Sequence, residues 1–101
     1  MTPLTTPKKL IIYLRIYKSY NDRFIIYTGI TRDMKRRQLE HLTGLCRTTN
    51  RYNKSYKLIE IRYKEYEELS FLMLEELENK FKKMKLIDKI RISDLWERWV
   101  G

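Results

Sequence analysis

Cysteine is nearly absent from this chain of 101 residues, which contains one, Cys46, together with two prolines and three glycines. A single cysteine excludes an internal disulfide framework and a zinc site built from cysteines. No apolar run approaches the roughly 20 residues that a membrane-spanning helix needs, so we expect no membrane partner. The first residues also lack the order of charge, apolar stretch and small-residue site that marks a signal peptide. We therefore expect a cytoplasmic protein with a flexible tail at 1–8 and a single domain at 9–101.

Acidic residues are scarce in the first part of the chain. Residues 1–57 contain 13 Lys and Arg residues but 3 Asp and Glu residues, whereas residues 58–101 contain 9 and 10. A surface this basic attracts polyanions, because Lys and Arg neutralise phosphates and release counterions. The eight tyrosines supply side chains that can stack on nucleobases. The composition favours a nucleic-acid partner, with an anionic membrane surface or a merely solubilising charge as the alternatives.

Alternating hydrophobicity predicts a β-hairpin at the start of the domain. Apolar residues occupy every second position over 10–17, which is typical of a strand. Turn-forming residues follow at 19–22, and a second strand rich in Ile, Phe and Tyr follows at 23–29. Asp33 is the predicted N-cap of a helix that runs to about residue 43, and Gly44 supplies the position beyond its end.

The later elements complete a predicted α+β fold. We expect a polar, basic loop at 44–55, a strand at 56–63 and a long helix at about 65–86. The long helix carries an apolar stripe at helical spacing, namely Leu69, Met73, Leu77, Phe81 and Met84. The order ββαβα plus a C-terminal helix predicts a small three-stranded antiparallel sheet flanked by helices.

Two tryptophans occupy the predicted terminal helix, for which Ser93 is the expected N-cap. Trp96 and Trp99 are three residues apart and would lie on one side of that helix. Such a surface either docks a protein partner or a second copy of the chain, or packs against the protein's own sheet. Packing is favoured because tryptophan buries a large area.

A set of polar side chains is suited to phosphodiester chemistry. Tyr13 and Tyr27 lie on the two predicted strands, and Arg37 and His41 are four apart on one face of the first helix. A carboxylate on the long helix would hold a hard divalent cation through oxygen, and an arginine fork would bind a phosphate oxygen. Taken singly, each residue has an ordinary structural alternative: strand tyrosines, a snorkelling arginine, a satisfied histidine and a solvated acidic face.

These residues resemble the GIY-YIG nuclease superfamily. Ile11-Ile-Tyr13 stands where the family has Gly-Ile-Tyr, and Tyr27-Thr-Gly29 stands where it has Tyr-Ile-Gly. The run from Gly29 to His41 is similar to the family's Gly-x-Thr-x-Asp-x-x-x-Arg-x-x-x-His. The resemblance covers residues 9–85 and is strongest to compact stand-alone members, so we expect 9–101 to be one GIY-YIG-like nuclease domain.

The resemblance implies a divalent-metal-dependent DNA endonuclease that uses one Mg²⁺ or Mn²⁺ ion. Tyr13 would be the base or the phenol that activates the nucleophile, and Tyr27 would orient the attacking water or the phosphate. Arg37 would stabilise the pentavalent phosphate, and His41 would support the tyrosine or the phosphate. We expect action in repair, recombination or mobile-element or viral DNA processing. The alternative is a catalytically inactive nucleic-acid-binding module on the same scaffold.

The metal ligand and the DNA contacts are assigned with alternatives. Glu78 is slightly favoured as the metal-binding residue because Phe81 follows it three positions later, Glu75 stays open, and Glu76 is third. No recognition module is visible, which predicts low intrinsic sequence specificity. Expected contacts to nucleic acid are the following basic residues: Arg15, Lys35, Arg36, Arg47, Arg51 and Lys54.

Overall fold

A computed structural model describes residues 10–67 and 71–101, and only the backbone of Phe71 and Leu74. These residues form an α+β protein with a four-stranded antiparallel sheet and four α-helices. The strands are β1 (Leu10–Lys18), β2 (Phe24–Thr31), β3 (Lys57–Tyr66) and β4 (Glu97–Arg98). The helices are α1 (Met34–Leu42), α2 (Arg47–Ser55), α3 (Phe71–Lys83) and α4 (Leu86–Ile92). The predicted tail at 1–8 and Leu69 of the predicted stripe lie outside the described residues.

Strand β1 lies inside the sheet, whose strand order is β2-β1-β3-β4. Ile11 and Tyr13 are buried with Met34 of α1 on one side, which we call the α1 face. Leu10 and Ile12 are buried on the other side, the α3 face, where Leu77 of α3 packs against them. The alternation of β1 therefore separates two buried faces. No helix within the described ranges is long and apolar enough to cross a membrane.

The hairpin and the first helix are confirmed. The Ser19 amide donates to the Arg23 carbonyl at 2.8 Å, and Asp22 adopts a left-handed φ of 64° that suits a tight turn. The Asp33 side chain accepts from the Arg36 amide at 3.1 Å and caps α1. Gly44, with φ of 83°, ends the helix as predicted.

The predicted loop at 44–55 is wrong, because residues 47–55 form α2. Its Thr, Asn and Ser residues have modest helix propensity. Tertiary contacts hold it instead. The Asn53 amide donates to the His41 carbonyl at 2.8 Å, and the ring of Tyr52 meets that of Tyr17 edge-on at 5.5 Å.

The predicted helix at 65–86 is also corrected. Tyr66 still belongs to β3, and α3 ends at Lys83, with α4 following after a break at Met84 and Lys85. No glycine or proline marks that break in the sequence. Of the predicted stripe, Leu77 packs on the α3 face and Phe81 is buried, but Met73 is exposed.

The predicted terminal helix does not form. The Ser93 hydroxyl donates to the Lys89 carbonyl at 2.6 Å, so Ser93 closes α4 and does not cap a further α-helix. A 3₁₀ turn and the two-residue strand β4 follow, and the Trp99 amide donates to the Ile61 carbonyl at 2.9 Å. The sheet therefore gains a fourth strand beside β3.

The two tryptophans accordingly lie on opposite faces of the sheet. Trp96 packs on the α3 face with its ring 5.1 Å from that of Phe81. Trp99 packs on the α1 face with its ring 6.1 Å from that of Tyr63. The expected Trp96/Trp99 helix is wrong, because a strand sends these side chains in opposite directions, each into contact with the protein's own packing. Docking of a protein partner or a second copy through these residues stays a prediction.

Candidate active site

Four of the predicted residues meet in one cluster. Tyr13 comes from β1, Tyr27 from β2, and Arg37 and His41 from α1. The Tyr13 hydroxyl lies 2.6 Å from His41 Nε2 and accepts from Arg37 Nε at 3.1 Å. Arg37 Nη2 donates to the Tyr27 hydroxyl at 3.4 Å. We call these four residues the Tyr-Arg-His cluster.

His41 is a neutral imidazole that is hydrogen-bonded through both ring nitrogens. Burial, followed by the positive charges of Arg15 and Arg37, lowers the pKa of His41 to about 3, so the imidazole is neutral. Its Nδ1 lies 2.6 Å from the Thr49 hydroxyl, which in turn donates to the Cys46 carbonyl at 3.4 Å.

One arrangement of protons gives every hydrogen bond between Tyr13, His41 and Thr49 a donor and an acceptor. The proton of Tyr13 points to His41 Nε2, and the Nδ1 proton of His41 points to Thr49, because the Tyr13 oxygen already accepts from Arg37. His41 thus acts as an acceptor for the phenol. Thr49, fully buried on α2, is a site residue that sequence reasoning missed.

Tyr13 is enclosed completely, with 0% of its surface exposed. Burial raises the pKa of Tyr13 well above its ordinary value near 10, although its hydrogen bond with Arg37 lowers it in part. Gly29 lies directly opposite Tyr13 on β2, and a Cβ there would be 2.5 Å from the phenol carbon and oxygen of Tyr13. The glycine of the Tyr-Thr-Gly motif therefore makes room for the tyrosine of the other motif.

Tyr27 and Arg37 form the more open side of the cluster. Tyr27 is half-buried, and its hydroxyl lies 3.8 Å from the Cys46 sulfur. Burial raises the pKa of Tyr27, against the lowering effect of Arg37. Burial lowers the pKa of Arg37, but contacts with Tyr13, Glu40 and Tyr27 raise it overall, so the guanidinium stays charged.

A groove beside the cluster is rich in arginine. It encloses about 390 Å³, and Arg37 contributes to its wall together with Arg32 and Arg36. Glu40 also lines this arginine groove and accepts from Arg37 Nη1 at 3.3 Å. Glu40 was missed from the sequence, although its spacing of three residues from Arg37 on a helix signals the pairing. The groove suits an anion with several oxygens, because arginine forks bind phosphate.

The three candidate metal ligands lie on α3. Glu75 and Glu76 are exposed. Glu78 has 15% of its side chain exposed, and its Oε1 lies 3.4 Å from Lys82 Nζ. Leu10 connects this helix to the arginine groove, since Leu10 lines the groove and belongs to the apolar group on which Leu77 packs.

The carboxylates fit only one kind of metal site. Within residues 10–67 and 71–101, no group of three or more His, Cys, Asp and Glu side chains is arranged to hold an ion. In the same residues, no hydrogen bond or ion pair connects Glu75, Glu76 or Glu78 to the Tyr-Arg-His cluster. Mg²⁺ is often held by one or two carboxylates together with waters and substrate phosphates. The described residues therefore show no preassembled ion site, and a divalent ion would have to be held by one α3 carboxylate together with waters and a bound phosphate.

Arg15 requires a correction among the expected DNA contacts. Only 3% of its surface is exposed, and its guanidinium donates to the hydroxyl of Tyr17 at 2.8 Å and to the side chain of Gln38. An arginine enclosed and hydrogen-bonded in this way is poorly placed to contact a phosphate from solvent. The strand alternation placed Arg15 correctly beside Tyr13, but α1 covers that face.

The other expected contacts are exposed. Arg36 lines the arginine groove, whereas Lys35 lies on another side of α1 beside an apolar groove. Arg47, Arg51 and Lys54 lie on α2 with spacings of four and three residues, so they share one face of the helix. We call these three the α2 stripe. Their common face is a property that a loop would not give.

Comparisons with protein-family models, with curated proteins and with solved structures gave no match for this chain. The function is therefore proposed from the geometry of the site and the sequence motifs.

Proposed function

We propose that the protein is a divalent-metal-dependent DNA endonuclease of low intrinsic sequence specificity, acting in repair, recombination or mobile-element or viral DNA processing. The observation that carries this proposal is the convergence of Tyr13, Tyr27, Arg37 and His41 in one hydrogen-bonded cluster. The cluster borders the arginine groove, where a phosphodiester would find guanidinium groups on its non-bridging oxygens.

Arg37 is the residue we assign to the transition state. Its Nε and Nη2 atoms are held by two phenols, so the guanidinium is oriented before a substrate arrives. A pre-oriented cation at the edge of a groove stabilises the charge that develops on the pentavalent phosphate without reorganising.

Tyr13 is best assigned a positioning role. If the phenol proton of Tyr13 moved to His41, it would leave a group with a pKa above 10 for an imidazole with a pKa of about 3. That transfer is unfavourable, because burial raises the pKa of the phenol and lowers the pKa of the imidazole. Tyr13 therefore stays protonated in the free protein and orients Arg37, while the more open hydroxyl of Tyr27 orients the attacking water.

Glu78 is the metal ligand that burial favours, since a half-buried carboxylate loses less side-chain freedom on binding than the exposed Glu75 and Glu76. A bound Mg²⁺ or Mn²⁺ would supply a Lewis acid for the phosphate and the leaving oxygen. Comparing the Glu→Gln variants of all three residues identifies the ligand. We expect Glu78→Gln to abolish metal-dependent cleavage, and Mn²⁺ titration to give tight binding only when DNA is present.

The proposal is tested by incubating the protein with linear, branched and plasmid DNA in the presence of Mg²⁺ or Mn²⁺. Arg37→Ala should lower the cleavage rate about 10²–10³-fold, and Arg37→Lys should recover little because lysine lacks the fork. Arg91→Ala, an exposed arginine on α4, is the matched control and should cut at the wild-type rate. Cleavage that survives Arg37→Ala would contradict the assignment.

A second candidate, a catalytically inactive nucleic-acid-binding module, is favoured by the complete enclosure of Tyr13. The same experiment separates the two. An inactive module binds all three DNAs, with the affinity falling as salt is added, and cuts none of them with either metal.

A further inference from the structure

A second surface lies at the turn end of the β1–β2 hairpin. Two grooves of about 590 Å³ and 240 Å³ meet there, and both are lined by Tyr20 from the turn and Tyr56 from the junction of α2 and β3. Phe24 lines the larger groove, with 41% of its surface exposed. We call Tyr20, Phe24 and Tyr56 the aromatic platform.

Tyr20 is displayed from a well-braced turn. Its surface is 96% exposed, so the ring stabilises nothing in its own fold. On either side of it, the Ser19 amide donates to the Arg23 carbonyl at 2.8 Å, and the Arg23 amide donates to the Ser19 hydroxyl at 3.1 Å. A ring presented from such a turn loses little backbone freedom when it contacts a ligand.

Cations surround the platform. Arg23 lines the larger groove, and Lys18 and Lys57 line the smaller one. The ammonium of Lys18 lies 5.8 Å from the ring centre of Phe24 and 3.4 Å from the carboxylate of Asp22. Aromatic faces beside lysine and arginine are the chemistry that holds unpaired bases by stacking and their phosphates by charge. Duplex DNA keeps its base faces stacked inside the helix, so the surface fits a single strand.

Helix α2 connects this surface to the Tyr-Arg-His cluster. Near its start, Thr49 contacts His41, and at its end Ser55 and Tyr56 line the platform grooves. The α2 stripe lies on the exposed side of the same helix, which has nine residues and is about 13 Å long. That length matches about four stacked nucleotides of one strand.

We propose that the aromatic platform binds single-stranded DNA, and that the α2 stripe carries its phosphates toward the Tyr-Arg-His cluster. The natural substrate is then DNA with an unpaired segment a few nucleotides from the cleaved phosphate. This statement about the substrate rests on the proposed endonuclease function, whereas the binding of a single strand does not.

Binding is measured without cleavage, by fluorescence anisotropy of a labelled single-stranded oligonucleotide and of a matched duplex in EDTA. Tyr20→Ala should weaken single-strand affinity about 5- to 100-fold and leave duplex affinity nearly unchanged. Tyr20→Phe keeps the ring and should bind as wild type. Leu95→Ala removes an apolar side chain that is 95% exposed elsewhere and is the matched control. Unchanged single-strand affinity in Tyr20→Ala overturns the proposal.

Cleavage is then compared on a blunt duplex and on a duplex with a single-stranded arm. Tyr20→Ala should lower kcat/KM on the armed substrate alone. If the wild type cuts nothing but Tyr20 still governs single-strand binding, the platform stands and the endonuclease proposal fails. If the wild type cuts DNA and Tyr20→Ala binds and cuts armed DNA normally, the platform fails and the endonuclease proposal stands.

Discussion

Substituting Gly29 by alanine tests the packing that positions Tyr13. The new methyl group would lie 2.5 Å from the phenol carbon and oxygen of Tyr13, about 1 Å closer than van der Waals contact allows. The ring cannot move aside without cost, because it is fully buried and its hydroxyl is hydrogen-bonded to His41 and Arg37. We therefore expect the ring to be displaced and the hydrogen bond to His41 to be lost.

The energetic cost follows from two opposing effects. Overpacking a buried site costs about 1–3 kcal/mol. Replacing glycine lowers the conformational entropy of the unfolded chain and raises the free energy of unfolding by about 0.4–1 kcal/mol. Gly29 does not have the left-handed φ that would penalise alanine. Gly29→Ala should thus lower the free energy of unfolding by about 1–2 kcal/mol.

Urea denaturation followed by circular dichroism measures this loss. Gly44→Ala is the matched control, because its φ of 83° makes alanine costly there without placing a methyl group on Tyr13. Both variants should lose stability, but only Gly29→Ala should also lose DNA cleavage under conditions where it is folded. In a Tyr13→Val background the penalty of Gly29→Ala should vanish. A Gly29→Ala protein as stable and as active as wild type would refute the reasoning.

Four further perturbations have distinct signatures. Acidification should destabilise the fold, because the only histidine has a pKa of about 3 when folded. The unfolded chain takes up that proton near pH 6.5, so about 2 kcal/mol is lost between pH 8 and pH 5, and His41→Gln should flatten this dependence in urea titrations. Arg15→Met should lower the free energy of unfolding by about 1–3 kcal/mol, because Gln38 loses its donor, and should leave the salt dependence of DNA binding unchanged. Arg51→Gln should leave the free energy of unfolding unchanged and reduce the salt dependence of DNA binding. Trp99→Ala should cost about 3 kcal/mol without changing the light-scattering mass across a concentration series; a change in mass would show that the side chain holds a partner.

Local rules were sufficient for the hairpin, for α1 and for most of the site. Asp33 and Gly44 mark the ends of α1 by their own chemistry, and a spacing of four residues places Arg37 and His41 on one side of it. The period of two in β1 and β2 points Tyr13 and Tyr27 to the same face. Each of these statements depends on neighbours within a turn or a strand pair, which sequence pattern describes well.

Tertiary contacts decided the parts that sequence reasoning missed. Helix α2 was expected to be a loop because its composition is a poor helix former, and it is held by partners distant in sequence, such as Tyr17 and His41. Thr49 could not be recognised as a site residue while its segment was taken for a loop. The end of the chain was assigned as helix because Ser93 is a common N-cap, whereas its hydroxyl bonds backwards to Lys89.

Because Tyr13 lies in the middle of β1, inside the sheet, the local stability of the site depends on the global stability of the fold. Its neighbours on both sides are strands, with Gly29 on one and Tyr63 on the other. The backbone amide of such a residue exchanges with solvent only when the sheet itself comes apart. The phenol that contacts Arg37 is thus anchored in a strand with sheet partners on both sides, and a change in the specificity of the proposed site would fall on the partly exposed residues around it, such as Cys46 and Glu40.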